Sequence, residues 1–251
     1  MKHNRLFDSV QGLQDAIQNS TVSFLGLAVQ GNTTVLGRKI VTPTPPTPPT
    51  PSHDYVEIGG VKWATMNIGA ESVTDYGLYF QWGDTQGYTA SQIGSGSGQK
   101  AFSWDDYKYT DDGGSTMTKY NSTDGKTVLD LSDDAVNAAW GGNWRMPTTA
   151  EFQALGQAVN AVWTENYNNS GVNGVVCTDK TDSSKVLFFP AAGGEVYDVG
   201  EDGYYWSSSL YTGLEKNAFL LNFYSFGTEW DYYGRRYCGF PVRGILDDSN
   251  N

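Results

Sequence analysis

Histidine is nearly missing from this chain: only His3 and His53 occur in 251 residues. Both lie ahead of the motif-rich region described below. No imidazole is therefore available there for acid–base or nucleophilic chemistry. Cysteine is as scarce. Cys177 and Cys238 form neither a CxxC pair nor part of a histidine cluster, which argues against a zinc site. A disulfide between them stays open. Positive charge is short as well. Sixteen Lys/Arg stand against twenty-eight Asp/Glu, a net charge of −12. A general nucleic-acid binder needs a basic stripe instead, and the acidity reads as solubility. No run of 18 apolar residues occurs, so membrane insertion is not expected. The first twenty residues lack an apolar h-region, so no secretory signal peptide is read there. A nucleophile elbow and a phosphate loop are also missing. No enzyme, cofactor or metal is expected.

Glycine, with 30 residues, and aromatics, at 14%, are plentiful. That mixture favours a loop-rich fold over a helical bundle. Six of the nine prolines fall in "TPTPPTPPTPS" (42–52). Such a run forms an extended polyproline-II spacer, about 3.1 Å per residue and roughly 30 Å long. It divides the chain into a small segment over 1–41, a linker over 42–53 and a large domain over 54–251. In the first, Leu6, Val10, Leu13 and Ile17 share one helical face, and Gly31-Asn32 sits between two strand-like runs. About 40 residues bury too little surface to fold alone. The helix and hairpin of 1–41 are therefore expected to make a homo-oligomer or to dock on a virion.

Within the large domain, "YVEIGGVKWATMNIG" and "GLYFQWGD" are strand-like, and 86–127 reads as a long polar insertion. "LSDDAVNAAWG" predicts a helix capped by Ser132. "NWRMPTTAEFQALGQAV" predicts a second, with Thr148 and Glu151 at capping-box spacing after Pro147. "KVLFFPAAG", "GYYWSSS", "AFLLNFYSF" and "GFPVRGI" follow as short strands. Two helices followed by strands predict an α+β domain.

The segment "EWDYYGRRYCGFPVRG" (229–244) stands apart. It holds five aromatics and three arginines, yet no two-residue or helical period runs through Trp230–Arg236. It reads as neither a strand nor an ordinary turn.

The ordered series "VKWATMNIGA", "GLYFQWGD", "NWRMPTTAEFQAL", "LFFPAAG", "YYWSSS" and "GFPVRGI" resembles the Fibrobacter succinogenes major paralogous domain family of Bacteroidetes and their phages. The likeness spans about residues 55–246. It implies a C-type-lectin-like fold of the formylglycine-generating-enzyme subtype, with two helices and short twisted antiparallel strands. The C-terminus, about 204–243, also resembles the variable region of diversity-generating retroelement target proteins. There, adenines of a template repeat are mutated, so asparagine codons scatter into many residue types on a fixed scaffold. An AAC codon so mutated reaches Tyr, Phe, Asp, Gly, Arg, Cys, Pro, Ser or Leu. It never reaches Trp, Glu, Lys, Gln or Met. Glu229 and Trp230 then belong to the scaffold.

That resemblance implies a binding surface built from Tyr224, Phe226, Asp231, Tyr232, Tyr233, Gly234, Arg235, Cys238 and Pro241. Tyr211, Leu214 and Asn217 precede the next strand and are expected on the same face. Clustered exposed rings mark interaction sites, and Tyr and Arg dominate binding hot spots. The expected partner is a protein or glycan on a cell surface, met by a phage virion or a bacterial cell surface. An ordinary aromatic lid, or a structural component packing its aromatic patch on a neighbouring subunit, is the alternative. Trp206, Phe223, Phe240 and Val242 are expected in the core, and Arg145 and Arg243 as structural arginines. The calcium-dependent sugar motifs of lectins and the cysteine pair of the formylglycine-generating enzyme are both absent from the sequence. Asp105-Asp106, Asp111-Asp112 and Asp133-Asp134 offer oxygen ligands for calcium, but a solvated charged face accounts for them more simply.

Overall fold

Glycine opens the first hairpin of the computed structural model, which describes residues 53–195 and 197–248. Strand β1 (Tyr55–Ile58) turns through Gly59 and Gly60 into β2 (Val61–Asn67). Both glycines have positive φ, 60° and 79°, as a two-residue hairpin turn requires. The segment 1–41 and linker residues 42–52 lie outside the described residues.

Ten further strands follow: β3 (Tyr79–Phe80), β4 (Trp144–Arg145), β5 (Val159–Thr164), β6 (Gly174–Asp179), β7 (Val186–Pro190), β8 (Asp202–Leu210), β9 (Asn217–Tyr224), β10 (Gly227–Arg235), β11 (Phe240–Pro241) and β12 (Arg243–Leu246). They form four small antiparallel sheets, in the orders β1-β2-β12-β4, β10-β9-β8, β11-β3 and β5-β6-β7. The only α-helices among the described residues are α1 (Ala135–Trp140) and α2 (Thr149–Ala158).

This architecture corrects the expected α+β, C-type-lectin-like class. The described residues are mostly β, with 37% strand against 15% helix. Three strands account for the difference. The stretch "VNAVWT" is β-branched and aromatic, and the chain leaves α2 directly into it as β5, with Val159 already extended at φ −115°, ψ 157°. Strand β6 arises in a Gly/Asn-rich stretch that gave little periodicity. Strand β10 contains a bulge, which hides its period. Helix α1 is also shorter than expected, and its cap is Asp134 rather than Ser132. The Asp134 carboxylate accepts from the amides of Val136, Asn137 and Met146. Ser132 lies in a preceding 3-10 turn. The α2 capping box does form: Thr148 accepts from the Glu151 amide and Glu151 from the Thr148 amide.

Sheet β8–β9 separates two hydrophobic cores. Tyr205, Leu221 and Phe223 face one, with Trp63, Phe152 and Phe189. Trp206, Ala218 and Leu220 face the other, with Trp82, Trp144 and Phe240. Both strands are thus buried on both faces, which is why they lack an alternating pattern. The buried serines of "WSSS" sit where β8 departs from regular pairing, between Trp206 and Leu210. Their hydroxyls bond backbone there: Ser207 to Phe219 O, Ser208 to Pro147 O, and Ser209 to the Thr149 amide. The indoles of Trp82 and Trp206 cross-link the same region, donating to Ser207 O and Phe80 O at 2.8 and 2.9 Å.

Two arginines fix the C-terminal strands. Arg243 is buried and donates to Asn67 Oδ1 and to the carbonyls of Ala64, Thr65 and Phe188. Arg145 forms a two-pronged pair with Glu151 and a further bond to Asp247. Phe223 and Val242 are buried with them.

Candidate functional site

The aperiodic segment is a strand with a bulge. Glu229 pairs with Asn222 but Tyr232 pairs with Leu220, so β10 carries one residue more than β9 between them. At the bulge, Trp230 turns inward onto α2, where its indole fills the space that a side chain at Gly156 would take. The neighbouring Asp231 carboxylate accepts from Gln153 of α2 at 3.0 Å.

Past the bulge, Tyr232 and Tyr233 are exposed, at 41% and 44%. Their rings lie 5.7 Å apart and nearly parallel. Tyr233 also stacks on Tyr211 from the β8–β9 turn, at 4.2 Å and 8°. Phe219 meets Tyr211 edge-on at 5.2 Å. Three tyrosines from two elements therefore form one stack, held on a core-backed strand. Leu214, 52% exposed, lies on the same turn as Tyr211. Arg235 is exposed at the end of β10 and donates to the Tyr237 hydroxyl at 3.3 Å. Asp231 and Arg235 thus each have a partner of their own.

The expected site divides into three groups. Tyr211, Leu214, Tyr232, Tyr233 and Arg235 come together as just described. Tyr224 and Phe226 sit at the other end of the β9–β10 hairpin. Phe226, 93% exposed, lines a groove of about 620 Å³ there with Val162, Trp163 and Trp230. Asp231 stands at the bulge between these two groups, and the remaining four are packed more deeply. Asn217 and Pro241 are buried within β9 and β11. Gly234 faces inward: a Cβ there would stand 3.0 Å from Leu220 and 3.2 Å from Phe240. Cys238 is half-buried, and its thiol bonds the Glu195 carboxylate. Burial and that carboxylate push the thiol up to about 12. Cys177 is fully buried in β6, and the two cysteines are free thiols.

Arg236 is the residue that the sequence reading missed. Its side chain is 0% exposed. It donates to the Tyr107 hydroxyl and to the carbonyls of Lys119, Tyr120 and Glu215. The rings of Trp82, Tyr107, Tyr109 and Tyr120 surround the guanidinium at 4.8–5.9 Å. It pins the 86–127 insertion to β10 and the β8–β9 turn. The only sequence signal was the unusual density of tyrosines in "DDYKYT".

The acidic pairs do not converge. Asp133 meets Lys108 and Lys119, Asp134 caps α1, and Asp112 holds its own turn through Thr116. Among the described residues no group of three or more His, Cys, Asp or Glu is placed to hold a metal. No described helix is long and apolar enough to cross a membrane. No protein-family model, curated protein or solved structure matches the chain.

Proposed function

We propose that this chain is a binding protein of the diversity-generating retroelement type, a β scaffold that displays a variable C-terminal surface to a protein or glycan on a cell surface. It acts from a phage virion or a bacterial surface and performs no chemistry of its own. The observation that carries this reading is the exposed stack of Tyr211, Tyr233 and Tyr232. Tyrosine offers a large, stiff contact area with few torsions to freeze. The strand beneath is fixed through Trp230, Gly234 and Arg236, so the rings are presented with little ordering cost.

Codon arithmetic supports the same surface. Tyr211, Leu214, Asp231, Tyr232, Tyr233 and Arg235 are all residue types that a mutated asparagine codon reaches. Trp230, which such a codon never reaches, packs against the core. A position that accepts many residue types must be free of packing limits. Asn217 and Pro241 are buried and Gly234 is half-buried close to Leu220, so of the proposed variable positions these are the least free to change.

Sequencing the locus tests the reading. A near-identical repeat of the segment encoding about 204–243, differing at adenines and lying beside a reverse transcriptase gene, is expected. A locus with neither would overturn diversification.

A further inference from the structure

The β8–β9 turn has a second side. Residues Thr212–Lys216 form one wall of an open groove of about 540 Å³, and 115–123 of the insertion form the other. A volume of this order suits a small ligand. Tyr211 ties the groove to the tyrosine stack, because its ring lies over Gly213, where an added Cβ would come 2.8 Å from the ring. The groove and the stack are thus two sides of one turn.

The lining is hydroxyl-rich, with Glu215 and Lys216 as its charged members. Ser115, Ser122, Thr123 and Thr212 are exposed into it, and their hydroxyls make no hydrogen bond within the described residues. Each can both donate and accept. Glu215 is already engaged, accepting from the Ser122 amide at 2.5 Å, which pins the two walls together. Arg236 supports the same walls from beneath through Glu215 O and Tyr120 O. The groove is therefore built and braced rather than a gap between loose loops.

Taking the C-terminal surface to be the binding face proposed above, we infer that the groove is a metal-independent subsite for one or two sugar rings of a glycan, with the tyrosine stack as the apolar platform beside it. The chemistry selects this class. A sugar presents hydroxyls that each donate and accept, matching the four free hydroxyls. It also presents a C–H face that packs on an aromatic ring. Only Met117 and Leu214 are apolar in the lining, too little to anchor peptide side chains. The net charge of −12 disfavours a polyanion.

The test uses the full chain against immobilised di- to tetrasaccharides of glucose, galactose, mannose and N-acetylglucosamine, with a chelator present. Thr212→Val and Thr123→Val remove one hydroxyl each at constant shape on exposed positions. At least one saccharide should bind with chelator present. Each substitution should weaken it about fivefold, as loss of a single hydrogen bond does, and Tyr211→Ala should weaken it further. Absence of saccharide binding, or binding indifferent to Thr212→Val and Thr123→Val, would overturn the glycan subsite. Measuring cell-surface binding by the Tyr232→Ala/Tyr233→Ala variant separates the two readings. Cell binding lost there, with the threonine variants neutral, leaves the binding surface standing and the subsite refuted. Cell binding unchanged in every variant refutes both.

Discussion

Arg235 and Arg236 are consecutive, yet one guanidinium lies in solvent and the other has no accessible surface. The strand turns them to opposite sides. Arg236 enters a box of Trp82, Tyr107, Tyr109 and Tyr120, while Arg235 lies exposed and donates to the Tyr237 hydroxyl. The same residue type therefore serves two separate purposes at adjacent positions.

Replacing them one at a time should show this. Arg236→Ala leaves three carbonyls without a donor and a cavity among rings, and is expected to cost about 3–5 kcal/mol. Arg236→Lys should restore little of that, because an ammonium cannot spread its donors over the same fork. Arg235→Ala should stay within about 0.5 kcal/mol. Denaturant melts of the full chain measure all three, and equal costs at the two positions would refute the assignment.

Patch and scaffold should differ in the same way. Tyr232→Ala with Tyr233→Ala removes exposed rings and is expected to leave the folding midpoint nearly unchanged. Trp206→Ala empties a fully buried site and removes the bond to Phe80 O, for about 3–5 kcal/mol. Thermal melts decide it, and a patch variant that unfolds first would reverse the assignment.

Acid should loosen the insertion through Asp133. Burial alone would raise this carboxyl. Lys119 and the phenols of Tyr109 and Tyr120 outweigh burial and hold it far below the usual carboxylate range. A folded-state value below the unfolded one contributes stability that is complete above about pH 4. That stability is lost as pH falls through the folded value. Asp133→Asn should therefore be less stable than the parent at pH 7, with the gap closing below about pH 4. Urea melts at several pH values test this, and a gap independent of pH would count against it.

Gly203 should be intolerant of any side chain. A Cβ there would stand 2.0 Å from Phe223 in the core. Gly203→Ala is expected to cost about 1–3 kcal/mol by overpacking. A melt indistinguishable from the parent would show that Phe223 can move aside.

Much of this was legible in the sequence, for local reasons. The Thr148–Glu151 box and the strands around Trp206 and Phe223 declare themselves through neighbours three or fewer positions away. Tyr232 and Tyr233 also announced themselves, by being rings where no period explained them. What stayed hidden depends on distant partners. Gly234 and Pro241 look as free as Tyr233 until Phe240 and β3 are in place. Arg236 looks like Arg235 until Tyr107 and Tyr120 arrive from 116 to 129 residues away. The balance of strand over helix was missed because β5 continues from a helix with no breaker between them.

The extra residue in β10 acts as a phase setter. Strand side chains alternate inward and outward, so one added or removed residue exchanges the two sets downstream. Deleting a residue past the bulge, such as Tyr232, would bring Arg235 to the inward place that Gly234 now fills and Arg236 to the exposed place of Arg235. The segment can exchange one exposed side chain for another, but its length cannot change. A process that rewrites codons while conserving their number leaves this parity intact. One that inserts or drops codons destroys it at the first step.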